Sequence, residues 1–92
     1  MSELLAMFKK SIGDLSEDTS LDGYYENFLS MARSQLLAED ISPSVLDSEL
    51  GRFATVLSAQ AIMNNQSIAD NNTLTLLRNL LSAQTKGERY GR

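Results

Sequence analysis

The chain has 92 residues and a mass of 10.2 kDa, enough for one domain with a modest core. With 42% apolar and 22% charged residues it is too apolar for disorder. The absence of Cys and His bars disulfides, thiol chemistry, thiolate or imidazole zinc sites and His-dependent triads, and a net charge of −4 argues against a module that grips DNA.

Leu occurs fifteen times, a bias that favours helices over strands because Leu keeps its rotamer freedom on a helix. Leu4, Leu5, Phe8 and Ile12 fall on one helical face. They predict a first helix over about residues 3 to 12, with Ser2 as its N-cap and Gly13 as its stop. Residues 14–20 form an acidic link, and Thr19 with Asp22 fits a partial capping box. A second amphipathic helix follows over about 20 to 38. It carries Leu21, Tyr24, Tyr25, Phe28, Leu29, Ala32, Leu36 and Leu37, and only one of the adjacent tyrosines can face inward.

Ser42 and Pro43 suit the cap and first position of a third helix, with Ile41 and Leu46 as a hydrophobic staple. This helix is predicted to run unbroken to about Asn64, packing Leu46, Leu50, Phe53, Ala54, Leu57, Ala61 and Ile62. Gly51 inside it marks a tight crossing or a bend. A polar link around Ile68 leads to Asn72, the predicted N-cap of a last helix carrying Leu74, Leu77, Leu80 and Leu81 on one face, with Leu76 off it and Gly87 as its stop. Residues 86–92 read as a flexible basic tail.

The expectation is one all-α domain over residues 1–92, a small bundle of about four helices joined by short polar loops. Its predicted core is Leu4, Phe8, Phe28, Leu29, Leu36, Leu46, Leu50, Phe53, Leu57, Leu77 and Leu81.

The glycines are scattered and no phosphate loop is present. The acidic run 14–22 lacks the central Gly and closing Glu of an EF-hand. Glu39, Asp40, Asp47 and Glu49 read as surface acidity rather than catalytic pairs. The expectation is therefore a non-enzymatic chain with no cofactor and no metal. No stretch approaches a membrane span, and no secretory signal is visible at the Met-Ser-Glu start.

Charge is unevenly spread. Residues 1–50 hold three cations and ten acids, a net of −7; residues 51–92 hold five cations and two acids, a net of +3. Such polarity suits a head-to-tail contact between copies, the kind that builds rings or filaments. Small chains without cysteine or metal also often gain stability by self-association.

The order and texture of the chain carry a resemblance. A short helix, Leu4–Gly13, leads into the acidic turn Ser16–Asp22; a helix with Tyr24-Tyr25, Phe28-Leu29 and Met31-Ala32-Arg33 follows; then come Arg52–Leu57 and the segment Ser67–Arg89. Over about residues 4–89 this resembles the head–tail connector (adaptor, or head-completion) proteins of tailed bacteriophages, with the last segment most like those of phages or prophages of Gram-positive bacteria.

The resemblance implies an all-helical, non-enzymatic virion protein. Such a protein is assembled in the host cytoplasm and placed in the virion neck as a homo-oligomeric ring under the portal protein. The ring extends the DNA channel, through which DNA passes without specific binding. It also presents a surface to the next neck, stopper or tail-completion protein. The family's chain ends dock on the portal, which points to Lys86, Arg89, Tyr90 and Arg92 as partner-binding residues. The competing expectation is a small helical regulatory or chaperone-like module acting as a dimer.

Overall fold

The computed structural model describes residues 2–14, 18–66 and 71–90, with the side chains of Ser2, Arg89 and Tyr90 excepted. It is an all-α bundle with no strand among the described residues. The helices are α1 (Ser2–Ser11), α2 (Asp22–Ala38), α3 (Pro43–Leu46), α4 (Glu49–Met63) and α5 (Asn72–Tyr90). No described helix is long and apolar enough to cross a membrane.

α4 is the central element. It packs on each of the other four helices, most extensively on α2. Its crossing face is built from small residues. Gly51, Ala54, Thr55, Ser58, Ala59 and Ala61 are all buried, because helix axes approach closest where side chains are short. Two apolar clusters sit along it. One gathers Leu4, Leu5 and Phe8 of α1 with Tyr25, Leu29 and Ala32 of α2 against Val56 and Ala59. The other gathers Leu36, Ile41, Val45 and Leu46 with Ala54 and with Leu77 and Leu81 of α5.

Three helices end in the same way. After α1, the Gly13 N–H donates to the Lys10 carbonyl at 3.2 Å and the Asp14 N–H to that of Lys9 at 2.8 Å, with Gly13 at φ +83°. After α2, Asp40 at φ +69° and Ile41 donate to the carbonyls of Leu37 and Leu36; after α4, Asn65 at φ +55° and Gln66 donate to those of Ile62 and Ala61. This pair of bonds closes a helix through one left-handed residue. At the α2 end Ile41 also packs in one cluster with Leu36, the hydrophobic contact that accompanies the motif.

Several expectations are corrected. The predicted third helix is two, because the chain breaks at Asp47–Ser48 and restarts. Ser42 caps α3, its Oγ accepting from the Val45 N–H at 3.3 Å, and Ser48 caps α4, accepting from the Gly51 N–H at 3.1 Å. The Thr19–Asp22 capping box does not form: α2 begins without a side-chain cap, and Asp22 binds Lys9 instead. Asn71, not Asn72, caps α5 by accepting from the Leu74 N–H at 3.0 Å. α5 does not stop at Gly87 but continues as helix through 86–90, so the expected tail is helical up to Tyr90; residues 91–92 lie outside the described residues. So does Ile68, at the centre of the polar link.

Of the predicted core, Leu4, Phe8, Leu29, Leu36, Leu46, Leu77 and Leu81 are buried, whereas Phe28, Leu50 and Leu57 are half-buried. Phe53 is not core: it is 46% exposed. The small-residue face of α4 takes the crossing, leaving Phe53 and Glu49 on the one side of that helix that meets solvent. Leu80 also turns outward. Tyr25 is the inward tyrosine and Tyr24 the outward one.

Candidate interaction surface

Phe53 occupies the middle of an open apolar groove. α4 supplies its floor through Leu50, Phe53, Val56 and Leu57; α1 supplies one wall through Met7, Lys10 and Ser11; Gln84 of α5 and Ser48–Glu49 close the other end. The larger part of the groove has a volume of about 600 Å³. Its lining is predominantly apolar, and the only ionic groups among the residues named are Lys10 and Glu49. Of the stripe expected in the core, Leu50 and Leu57 pack on the second apolar cluster while also lining the groove, and Phe53 is the member that turns out of it.

The C-terminal half of α5 is fastened to the start of α3. The Ser42 N–H donates to Thr85 Oγ1 at 3.1 Å, and Thr85 is buried. One turn later, Ser42 Oγ donates to Glu88 Oε1 at 3.0 Å and Ser44 Oγ donates to Glu88 Oε2 at 2.6 Å. Neither Thr85 nor Glu88 was singled out from sequence. The signal was there: the spacing of Leu74, Leu77 and Leu81 continues at i+4 onto Thr85. Of the sequence-predicted partner residues, Lys86 lies exposed on this segment. Arg89 and Tyr90 belong to α5 by their backbone, while their side chains and Arg92 lie outside the described residues.

Ion pairs order the helices. Lys9 Nζ meets Asp22 Oδ1 at 2.9 Å; Arg33 Nη1 meets Asp47 Oδ1 at 3.2 Å; Arg52 Nη1 meets Glu3 Oε1 at 2.8 Å; Arg78 pairs with Glu39. The last two join the basic second half to the acidic first half within one chain. Glu39 and Asp47, read from sequence as surface acidity, are each engaged with a different arginine. Among the described residues no three acidic side chains are grouped as metal ligands.

The α1–α2 junction holds the perturbed titrations. The Asp22 hydrogen bond raises the Lys9 ammonium above its ordinary 10.5. Burial, with a 3.2 Å hydrogen bond donated to Asp14 Oδ2, raises the Tyr25 phenol. Asp18, accepting the Ser20 N–H at 2.9 Å, is held below the usual carboxylate range. These groups tie the α1–α2 turn together.

No family model matches the chain, and no curated protein or solved structure matches it either.

Proposed function

We propose that this chain is a structural virion protein of the head–tail junction of a tailed phage. It forms a ring beneath the portal, prolongs the DNA channel and offers the next neck or tail protein its docking surface. The observation that carries this reading is the large apolar surface left open on so small a chain. Phe53 stands in a groove between helices, and Leu21, Tyr24, Met31, Leu37, Leu76 and Leu80 are also exposed. Exposed aromatic, Leu and Met side chains are the composition of protein–protein contact.

The resemblance over residues 4–89 gives that contact its setting. The net charge of −4 suits a channel along which DNA slides, since a basic lining would hold the phosphates. The anchoring of α5 through Thr85 and Glu88 supports a docking role for the C-terminal residues, because it gives Lys86 a fixed place on the surface.

The test is genetic. Deleting the gene from the phage or prophage that encodes it should leave DNA-filled heads without tails in electron micrographs, rescued by the chain supplied from a plasmid. Tailed, infectious particles at the normal yield after deletion would overturn the proposal.

A further inference from the structure

α2 carries a second stripe beside its buried one. Leu21, Tyr24, Phe28 and Met31 follow one another at three, four and three residues. Leu21, Tyr24 and Met31 are about half exposed, Phe28 is half-buried, and none of the helix's charged residues falls among them. α5 carries a matching one: Thr73, Leu76, Leu80, Ala83 and Gly87 repeat at three and four, and all are exposed. This alternation of three and four is the seam spacing of helices that pack side by side. Within one chain the stripes do not meet as helix faces, since both helices pack chiefly on α4.

The geometry points to a contact in which α2 of one copy lies antiparallel against α5 of the next. In antiparallel register Met31 faces Leu76, Phe28 faces Leu80, Tyr24 faces Ala83 and Leu21 faces Gly87. Large side chains are thereby set against small ones at one end, and polar Gln35 meets polar Thr73 at the other. Gly87 is compatible with the register. It lies inside a helix, where Gly is unfavourable relative to Ala. Nothing in its own chain requires it, because a Cβ there would meet no atom within 4 Å. A neighbouring helix packed closely at that point would require it. The ends agree in charge as well. Exposed Asp18, just before α2, comes to the end of α5 that carries Lys86, Glu88 and Arg89, where the Glu88 carboxylate is turned onto Ser42 and Ser44, and antiparallel helix dipoles are favourable.

The two surfaces differ, so each copy presents both, and the array closes into a ring or extends as a filament. The inference deepens the ring reading above and rests on it for closure only.

The cysteine-free chain allows a direct test. A Gln35→Cys chain is mixed under mild oxidation with a Thr73→Cys chain lengthened by a tag. The mixed disulfide dimer should exceed either homodimer several-fold. Replacing the second partner by an Ala83→Cys chain, out of register with Gln35, should return the yield to background. Equal yields with both partners, dominance of the Gln35→Cys homodimer, or no cross-link at all would overturn the contact.

A second measurement uses Leu80→Glu and Met31→Lys chains with unchanged helical signal. Alone, each should lose the self-association of the wild type. Mixed, they should form a dimer that grows no further, because one intact α2 and one intact α5 remain. A wild type that stays monomeric at millimolar concentration, or a mixture that stays monomeric, would overturn the contact. Micrographs of a chain carrying both Gln35→Cys and Thr73→Cys, oxidised, separate the two ideas: open filaments would defeat the ring while leaving the contact standing.

Discussion

A Cβ placed on Gly51 would lie 2.2 Å from the Val45 carbonyl oxygen and 2.5 Å from Leu46 Cα. The first turn of α4 therefore rests directly on the backbone of α3. Ser48 makes the bend between them, its Oγ donating to the Val45 carbonyl at 2.5 Å while accepting from the Gly51 N–H. Backbone cannot yield as a flexible side chain can. Gly51→Ala should destabilise by about 3 kcal/mol even though Ala is the better helix former, read as a lower midpoint in urea unfolding. An unchanged midpoint would mean that α3 and α4 separate freely.

Thr85 Oγ1 is the acceptor for the Ser42 N–H. Thr85→Val keeps the shape and removes the acceptor, leaving a part-buried donor unpaired. The expected loss is about 1–3 kcal/mol. Amide exchange should accelerate at Ser42 and leave the α1–α2 region unchanged.

Ser58 is buried on α4 and its hydroxyl has no hydrogen-bond partner. Ser58→Ala removes that unsatisfied group and improves helix propensity, so the variant should gain about 1 kcal/mol. A thermal midpoint below that of the wild type would show that the hydroxyl is needed.

Lys9 and Tyr25 both have folded-state proton affinities above their ordinary values. Their contribution to stability is therefore complete below about pH 10 and is lost as pH rises through the raised folded values. Denaturant titrations from pH 8 to 12 should show stability falling at the alkaline end. Tyr25→Phe should flatten part of that fall, the remainder belonging to Lys9 and its bond to Asp22 at 2.9 Å.

Phe53→Ala should cost only about 1 kcal/mol, because the ring is already half in water. A loss of about 3–5 kcal/mol, the range for a buried Phe, would place Phe53 in the core after all.

The last case shows where reading the chain alone stops. Helix periodicity marks every long helix, Gly13 marks the end of α1, and Ser42 and Pro43 mark the start of α3, because caps and stops are local chemistry; the restart at Ser48 is not marked in the same way. Periodicity also ranks a face by the size of its side chains. On α4 that puts Phe53 in the core and passes over Thr55 and Ser58, small residues buried in the crossing, whereas Gly51, Ala54 and Ala61 are legible in the sequence as packing positions. Asp40 and Asn65 close helices in left-handed geometry, a role the sequence announces plainly only when the residue is Gly. The clasp at Glu88 joins residues 44 and 46 positions apart, and no local pattern encodes such a pairing. The groove at Phe53 was legible as apolar residues but not as surface, since exposure depends on which helices the bundle places around α4.

The two apolar clusters occupy different stretches of one helix: Val56 and Ala59 belong to the first and Ala54 to the second. α1 and most of α2 thus answer to one stretch, while α3 and α5 answer to the other. α4 acts as a common spine between two semi-independent hearths of packing. A load pulling on α5 would be transmitted to α1 chiefly by bending or rotating that spine. The backbone contact at Gly51 holds the start of that spine on α3.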